Sequence, residues 1–139
     1  MAASARTFEY AVELDTDWTA TSDRGGGALP LEEPAWSPEH LLLTALCRCT
    51  LTSLRHPARR AGIDVASQGR ARGIVAWREA DSRFAFVSVD ADLVVALDPP
   101  PDPDGVRELL AKAERDCFVG ASLTAPPTYR WTVNGKEIA

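Results

Sequence analysis

This 139-residue sequence contains no basic stripe, no long apolar run and no phosphate-binding glycine motif. Its 15 basic and 20 acidic residues, for a net charge of −5, are mixed along the chain. Nothing is therefore arranged to hold a phosphate backbone, and nucleic acid is not an expected partner. Apolar stretches such as Leu41 to Leu43, with Ala45 and Leu46 close behind, fall far short of the roughly 20 residues that span a bilayer as a helix. GxxxxGK(S/T), GxGxxG and GxSxG patterns are absent, and Gly25 to Gly27 lack the strand and helix context of a phosphate loop. ATP-binding, NAD-binding and serine-hydrolase readings drop out with them. The N-terminal MAASARTFEY has no apolar h-region, so no secretory signal is expected and a reducing cytoplasm is the expected location. Only three cysteines occur, Cys47, Cys49 and Cys117. They cannot all pair within one chain, and no disulfide framework is expected.

The chain that remains is of a size for one α+β domain, residues 1–139, with a single core. Phe8, Tyr10, Val12 and Leu14 alternate with polar or small residues and predict a half-buried strand over Thr7–Leu14. From Asp15 to Ser37 the glycines and prolines predict a loop with room for one short strand. Ser37-Pro38-Glu39 has the order of an N-cap hydroxyl, a first-turn proline and an acid at the positive end of the dipole. A long helix follows, with Leu42, Ala45, Leu46, Cys49 and Ser53 on its apolar face and Gly62 as its stop. Pro57 predicts a kink or break after Ser53. Arg70–Trp77 and Arg83–Leu97 read as an antiparallel hairpin, with Ala85, Val87, Val89, Ala91, Leu93 and Val95 on one face. Pro99, Pro100, Pro101 and Pro103 form a stiff connector. Asp102 is then a candidate N-cap for a second helix, with Val106, Leu109, Leu110, Ala113 and Cys117 on one face. Thr128–Val133 reads as a last strand, with Tyr129, Trp131 and Val133 to one side, before an Asn134-Gly135 turn.

The cysteines are the candidate chemistry. Only a thiolate is nucleophilic, and a thiol near pKa ~8.5 needs a cation or a helix N-terminus to be activated at neutral pH. Cys49 lies mid-helix, so an arginine must come from elsewhere; without one, Cys49 is a small buried hydrophobe. Cys47 stands about 200° around the helix from Cys49 and is expected only to pack. A zinc set of His40, Cys47 and Cys49 fails on helical geometry and lacks a fourth ligand, and His56 is too distant to supply one.

Two blocks carry a resemblance. WSPEHLLLTALCRCTLTSLRHPARRAGIDV, Trp36 to Val65, resembles the helix of the OsmC/Ohr proteins (osmotically inducible protein C and organic hydroperoxide resistance protein), where Pro-Glu opens a helix and a cysteine follows ten residues after the acid. LLAKAERDCFVGASL, Leu109 to Leu123, resembles the family's second cysteine block, and the likeness covers residues 6–138. The resemblance implies an OsmC-like fold: an antiparallel sheet with two main helices, one long and central, in an intertwined homodimer. It further implies a cysteine-dependent peroxidase that reduces organic hydroperoxides, with Cys49 as the peroxidatic thiolate and Cys117 as the resolving thiol. The two would join in a reversible disulfide, recycled by a small dithiol of the dihydrolipoyl type, with no metal or flavin.

The family also uses an arginine to stabilise the thiolate and a glutamate to orient it. Glu39 matches the acid, and Arg24, in the glycine-rich loop, is the candidate arginine; its other reading is a solvated loop charge. At 1.5 Å of rise per residue, Glu39 and Cys49 stand about 15 Å apart on one helix. If both serve one site, a second subunit must contribute. The chain departs from the family at His40, where many relatives carry an acid or amide, and at Phe118, where many have proline, which bears on substrate preference and resolving efficiency. An apolar surround of Leu42, Leu46 and Phe118 or Trp36 would favour bulky organic peroxides over hydrogen peroxide. Two other classes stay open: a non-enzymatic dimer that binds a small apolar ligand, and a redox sensor.

Overall fold

A computed structural model of the protein describes residues 6–138. The reading of the first residues as no secretory signal falls partly on residues 1–5, outside those described. Two compact units are present, Met1–His40 and Leu41–Ala139, and the architecture is mixed α+β.

The first unit holds a three-stranded antiparallel sheet of β1 (Val12–Leu14), β2 (Thr19–Ser22) and β3 (Leu29–Pro30) in sequential order. The strand expected over Thr7–Leu14 is thus confined to its last three residues, all exposed. The physical reason is the lack of a buried face: Phe8, Tyr10, Val12 and Leu14 are each at least half exposed. The loop expected after Asp15 supplies two short strands where one was anticipated. At the unit's end, α1 (Pro38–Arg60) starts where the N-cap signal puts it, and the backbone N–H of His40 donates to Ser37 Oγ at 3.2 Å.

The second unit carries a four-stranded sheet in the order β4 (Asp64–Arg78), β5 (Arg83–Asp98), β6 (Thr128–Val133) and β7 (Lys136–Ile138). Pro57 does not interrupt α1, which runs as one helix to Arg60. Leu54 and Ala58, on either side of Pro57, are fully buried, and that packing offsets the missing backbone hydrogen bond. The buried stripe is Leu46, Thr50, Leu54 and Ala58, a rotation from the expected one, with Leu42, Ala45, Cys49 and Ser53 half-buried at its margin.

β4 and β5 form the expected antiparallel hairpin, longer at both ends of β4 than its apolar pattern indicates. Val87 is an extra residue in the ladder, because Ile74 pairs with Ser88 while Val75 pairs with Phe86. This bulge reverses the alternation. Val89, Ala91, Leu93 and Val95 are buried as expected, and Leu97 with them, but Val87 is exposed, and Phe86 packs instead against the buried cluster of Leu46, Val89, Ala91 and Cys117. β6 pairs parallel to β5. A helical crossover makes this possible, because it returns the chain to the end of the sheet from which β5 began.

That crossover is α2 (Pro103–Arg115) followed by the short α3 (Phe118–Ala121). Asp102 caps α2 by accepting from the Gly105 N–H at 2.7 Å. Val106, Leu110 and Ala113 of α2 join Leu54, Ala58, Leu93, Val95 and Leu97 of β5, Trp131 and Val133 in one core. Tyr129, Trp131 and Val133 share the inward face of β6 as expected. Asn134 and Gly135, both at positive φ, form the two-residue turn into β7.

Candidate functional site

The site lies where α1 meets the segment after α2, within the second unit. On α1, Leu46, Cys49 and Thr50 stand three and four residues apart and so share a face. Leu46 and Thr50 are fully buried, and Cys49 is half-buried. The segment that meets them begins at Asp116, the C-cap of α2. Its carbonyl accepts from Ser53 Oγ at 3.2 Å, which ties it to α1.

Cys117 was expected to close the apolar stripe of α2. It lies beyond that helix instead, in extended backbone (φ −76°, ψ 107°), and caps α3. Its inward position is nevertheless that of the stripe, with no exposed surface. Cys117 Sγ accepts from the Gly120 N–H and from Thr50 Oγ1, each at 3.3 Å.

The two thiols expected to act together are in side-chain contact, Cys49 against Cys117. Burial pushes the Cys49 thiol up from its ordinary value, and the Cys117 thiol pushes it further; hydrogen bonds from the Val119 and Phe118 backbone oppose the rise. None of these influences is cationic. Cys47 faces another part of the fold: a methyl group placed on Gly69 would stand 3.3 Å from Cys47 Sγ and 3.0 Å from Leu93. Cys47 therefore rests over the β4 backbone, and its thiol is also pushed up by burial.

Glu39 and Arg24 belong to the first unit. Glu39 is exposed in the first turn of α1. The Arg24 guanidinium lies 4.9 Å from the centre of the Tyr10 ring, a cation–π contact, and its backbone N–H donates to Ser22 Oγ at 3.2 Å. Among the described residues, no cluster of histidine, cysteine and carboxylate side chains is placed to hold a metal ion. No helix among them is long and apolar enough to cross a membrane. Two surface clefts, of about 380 and 480 Å³, border the start of α2 and the outer face of the sheet, and no thiol lines either.

Thr50, Tyr129 and Gly120 escaped the sequence reading. Tyr129 interacts through its hydroxyl with the side chains of both Thr50 and Cys117, and burial pushes its pKa up to about 12. At neutral pH it is a hydroxyl that can donate. Gly120 leaves room for it, since a Cβ there would meet the Tyr129 oxygen at 2.7 Å. The one available signal was Thr50 itself, a polar residue at i+4 between Leu46 and Leu54. A pair of adjacent thiols, one reachable from solvent and one enclosed with its own donors, is suited to reversible two-electron oxidation.

The sequence model of the OsmC-like protein family matches residues 31–132, which include both cysteine blocks. None of the curated proteins matches the chain. Among solved structures, an OsmC-like protein of unknown function from Vibrio cholerae is similar at a TM-score of 0.70 and 14% identity, over 91% of this chain and 100% of that one. An OsmC-like protein from Mycoplasma pneumoniae is similar at 0.65 and 16%, over 93% and 96% of the two chains. The organic hydroperoxide resistance protein OhrB of Bacillus subtilis is similar at 0.55 and 19%, over 93% and 98%. At these identities the structures establish the OsmC-like fold, and the sequence match establishes the kinship: this chain belongs to the OsmC-like protein family.

Proposed function

We propose that the protein is a thiol peroxidase for organic hydroperoxides. The observation that supports this best is the contact between half-exposed Cys49 and fully buried Cys117. The Cys49 thiolate attacks the outer peroxide oxygen, the O–O bond breaks, and the alkoxide leaves and takes a proton to become an alcohol. Cys117 then attacks the Cys49 sulfenic acid. The S–O bond breaks and the hydroxyl departs with a proton as water, leaving a disulfide. A dithiol of the dihydrolipoyl type supplies the two electrons and two protons that restore both thiols. Kinship with a family that includes hydroperoxide resistance proteins supports the same reading. In this account residues 1–139 act as one OsmC-like domain in the cytoplasm, where the thiols rest reduced.

Phe118, exposed and next to Cys117 in the chain, with half-buried Leu42 on α1, would give bulky apolar peroxides a contact that hydrogen peroxide cannot make, whereas Leu46, expected in the same surround, is fully buried and only supports it from below. Steady-state turnover of cumene hydroperoxide with dihydrolipoamide is expected to exceed that of hydrogen peroxide. Cys49→Ser is expected to reduce both to the uncatalysed rate. Turnover that persists in Cys49→Ser would overturn the assignment, and equal rates with the two peroxides would remove the apolar preference.

The same reading includes a homodimer. Phe8, Tyr10, Val12 and Trp18 in the first unit, and Trp77, Phe84 and Phe118 in the second, are all about half exposed or more. Apolar surface on this scale calls for a cover, and a second copy is the one proposed. Glu39 and Arg24 would then reach Cys49 from across the two-fold axis.

One observation favours a second reading, a redox sensor or a non-enzymatic ligand-binding dimer: burial raises the Cys49 thiol and no cation offsets it within its own unit. The two readings separate on Arg24. A guanidinium beside the sulfur favours the thiolate, so its loss moves deprotonation to higher pH. In Arg24→Ala, the pH midpoint for iodoacetamide labelling of Cys49, followed by peptide mass, is expected to rise by about one unit, a roughly ten-fold loss of labelling at pH 7. An unchanged midpoint would make Arg24 a solvated loop charge and favour the sensor or binding reading.

A further inference from the structure

The Thr50 hydroxyl is placed between two acceptors. Its oxygen lies 2.9 Å from the Leu46 carbonyl and 3.3 Å from Cys117 Sγ, and it has no exposed surface. A hydroxyl has one hydrogen and two lone pairs. When Cys117 carries its proton, the S–H can donate to Thr50 Oγ1 while the hydroxyl donates to Leu46. When Cys117 is a thiolate, the hydroxyl can turn and donate to the sulfur. The Gly120 N–H donates to the same sulfur at 3.3 Å, and the Tyr129 hydroxyl also interacts with it. In a buried site with no exposed sulfur surface, such donors take the place of solvent for a departing thiolate.

We propose that Thr50, assisted by Tyr129, is a positioning residue that makes Cys117 the leaving sulfur of the Cys49–Cys117 disulfide and so directs reduction through Cys49. An external thiolate can reach only the half-exposed Cys49 sulfur. It forms a new S–S bond there as the old one breaks, and the bonding pair leaves on Cys117. The Cys117 sulfur is received by the Thr50 hydroxyl and the Gly120 N–H and takes up a proton, and the second thiol of the reductant then attacks the reductant sulfur of the mixed disulfide, forming the reductant's own S–S bond as the bond to Cys49 breaks and Cys49 leaves as a thiol. This inference rests on the disulfide of the proposed cycle, although not on the peroxide that forms it.

The test uses the full chain, oxidised with diamide so that no peroxidase activity is required. Reduction by dihydrolipoamide is followed by rapid quenching with N-ethylmaleimide and mass analysis of the Cys117 peptide. Thr50→Val keeps the shape of the side chain and loses its hydrogen. It is expected to slow release of the Cys117 thiol about ten-fold, the size of one hydrogen bond to a charged group. Thr50→Ser is expected to restore release to within about two-fold of the parent. Glutathione, used in place of the dithiol, is expected to be trapped on Cys49. Release from Thr50→Val at the parent rate, slow release from Thr50→Ser as well, or glutathione found on Cys117 would each overturn the inference. Should Thr50→Val fail to fold, Tyr129→Phe takes its place, with slower release expected and an unchanged rate contradicting. A disulfide that forms with diamide but never with cumene hydroperoxide would refute the peroxidase reading and leave this inference standing.

Discussion

Cys117→Ser is expected to consume one equivalent of cumene hydroperoxide per chain and then stop. Cys49 retains its thiol and its partial exposure in this variant, so the first oxidation does not need Cys117. The sulfenic acid left on Cys49 has no sulfur to condense with, because Cys47 sits on another face of α1 over Gly69. Serine is close in size to cysteine, and its hydroxyl can still accept from Gly120 and Thr50, so the pocket should keep its form. A burst of one equivalent with no steady state is therefore expected, with Cys49 recovered as sulfenic acid; only excess peroxide would carry it on to the irreversible sulfinic and sulfonic acids, each step consuming one further equivalent. Sustained turnover in Cys117→Ser would show that Cys49 is regenerated by the reductant directly and that Cys117 only fills the core.

Leu46→Ala is expected to cost about 2–5 kcal/mol of unfolding free energy and to uncouple the two thiols. Leu46 is fully buried and forms a cluster with Val89, Ala91 and Cys117, with Cys49, Phe86, Val119 and Tyr129 packed around it. Truncation removes its methyl groups from beneath the sulfur pair. The surround has little freedom to close the space, since α1 is fixed on its other side by Leu54 and Ala58 and β5 is held in a four-stranded sheet. Thermal or denaturant unfolding measures the stability, and the rate of diamide-driven disulfide formation measures the coupling. A loss below about 1 kcal/mol with unchanged disulfide formation would mean that the thiol contact does not depend on this packing.

Local signals were legible wherever a short stretch of chain decides the outcome. Ser37-Pro38-Glu39 opens α1, Asp102 caps α2, and Asn134-Gly135 turns the chain after β6. Departures occur where distant segments decide. The Val87 bulge depends on Phe86 packing into the cluster around Leu46, and the parallel place of β6 depends on where α2 and α3 return the chain. β7 is three residues long, too short to show a period. Pro57 reads locally as a break, yet the burial of Leu54 and Ala58 keeps α1 whole.

The site follows the same division. Cys49 and Cys117 could be singled out because thiols are few and each lies in a recognisable block. Their surroundings could not. Thr50 looks like an ordinary helix residue until α1 packs against the Asp116–Gly120 segment, and Tyr129 comes from a strand beyond the crossover. Arg24 sits in a loop whose glycines set no fixed spacing, so its sequence position carries little information about which sulfur it serves.

The central claim is that Cys49 and Cys117 form one redox pair driven by organic hydroperoxide. One measurement tests it most directly: add a single equivalent of cumene hydroperoxide to the reduced protein, block the remaining thiols, and map the cysteine peptides by mass. The account predicts a Cys49–Cys117 disulfide in nearly every chain, one peroxide consumed per disulfide, and Cys47 recovered as a free thiol. All three cysteines recovered unoxidised, or a disulfide that includes Cys47, would contradict it.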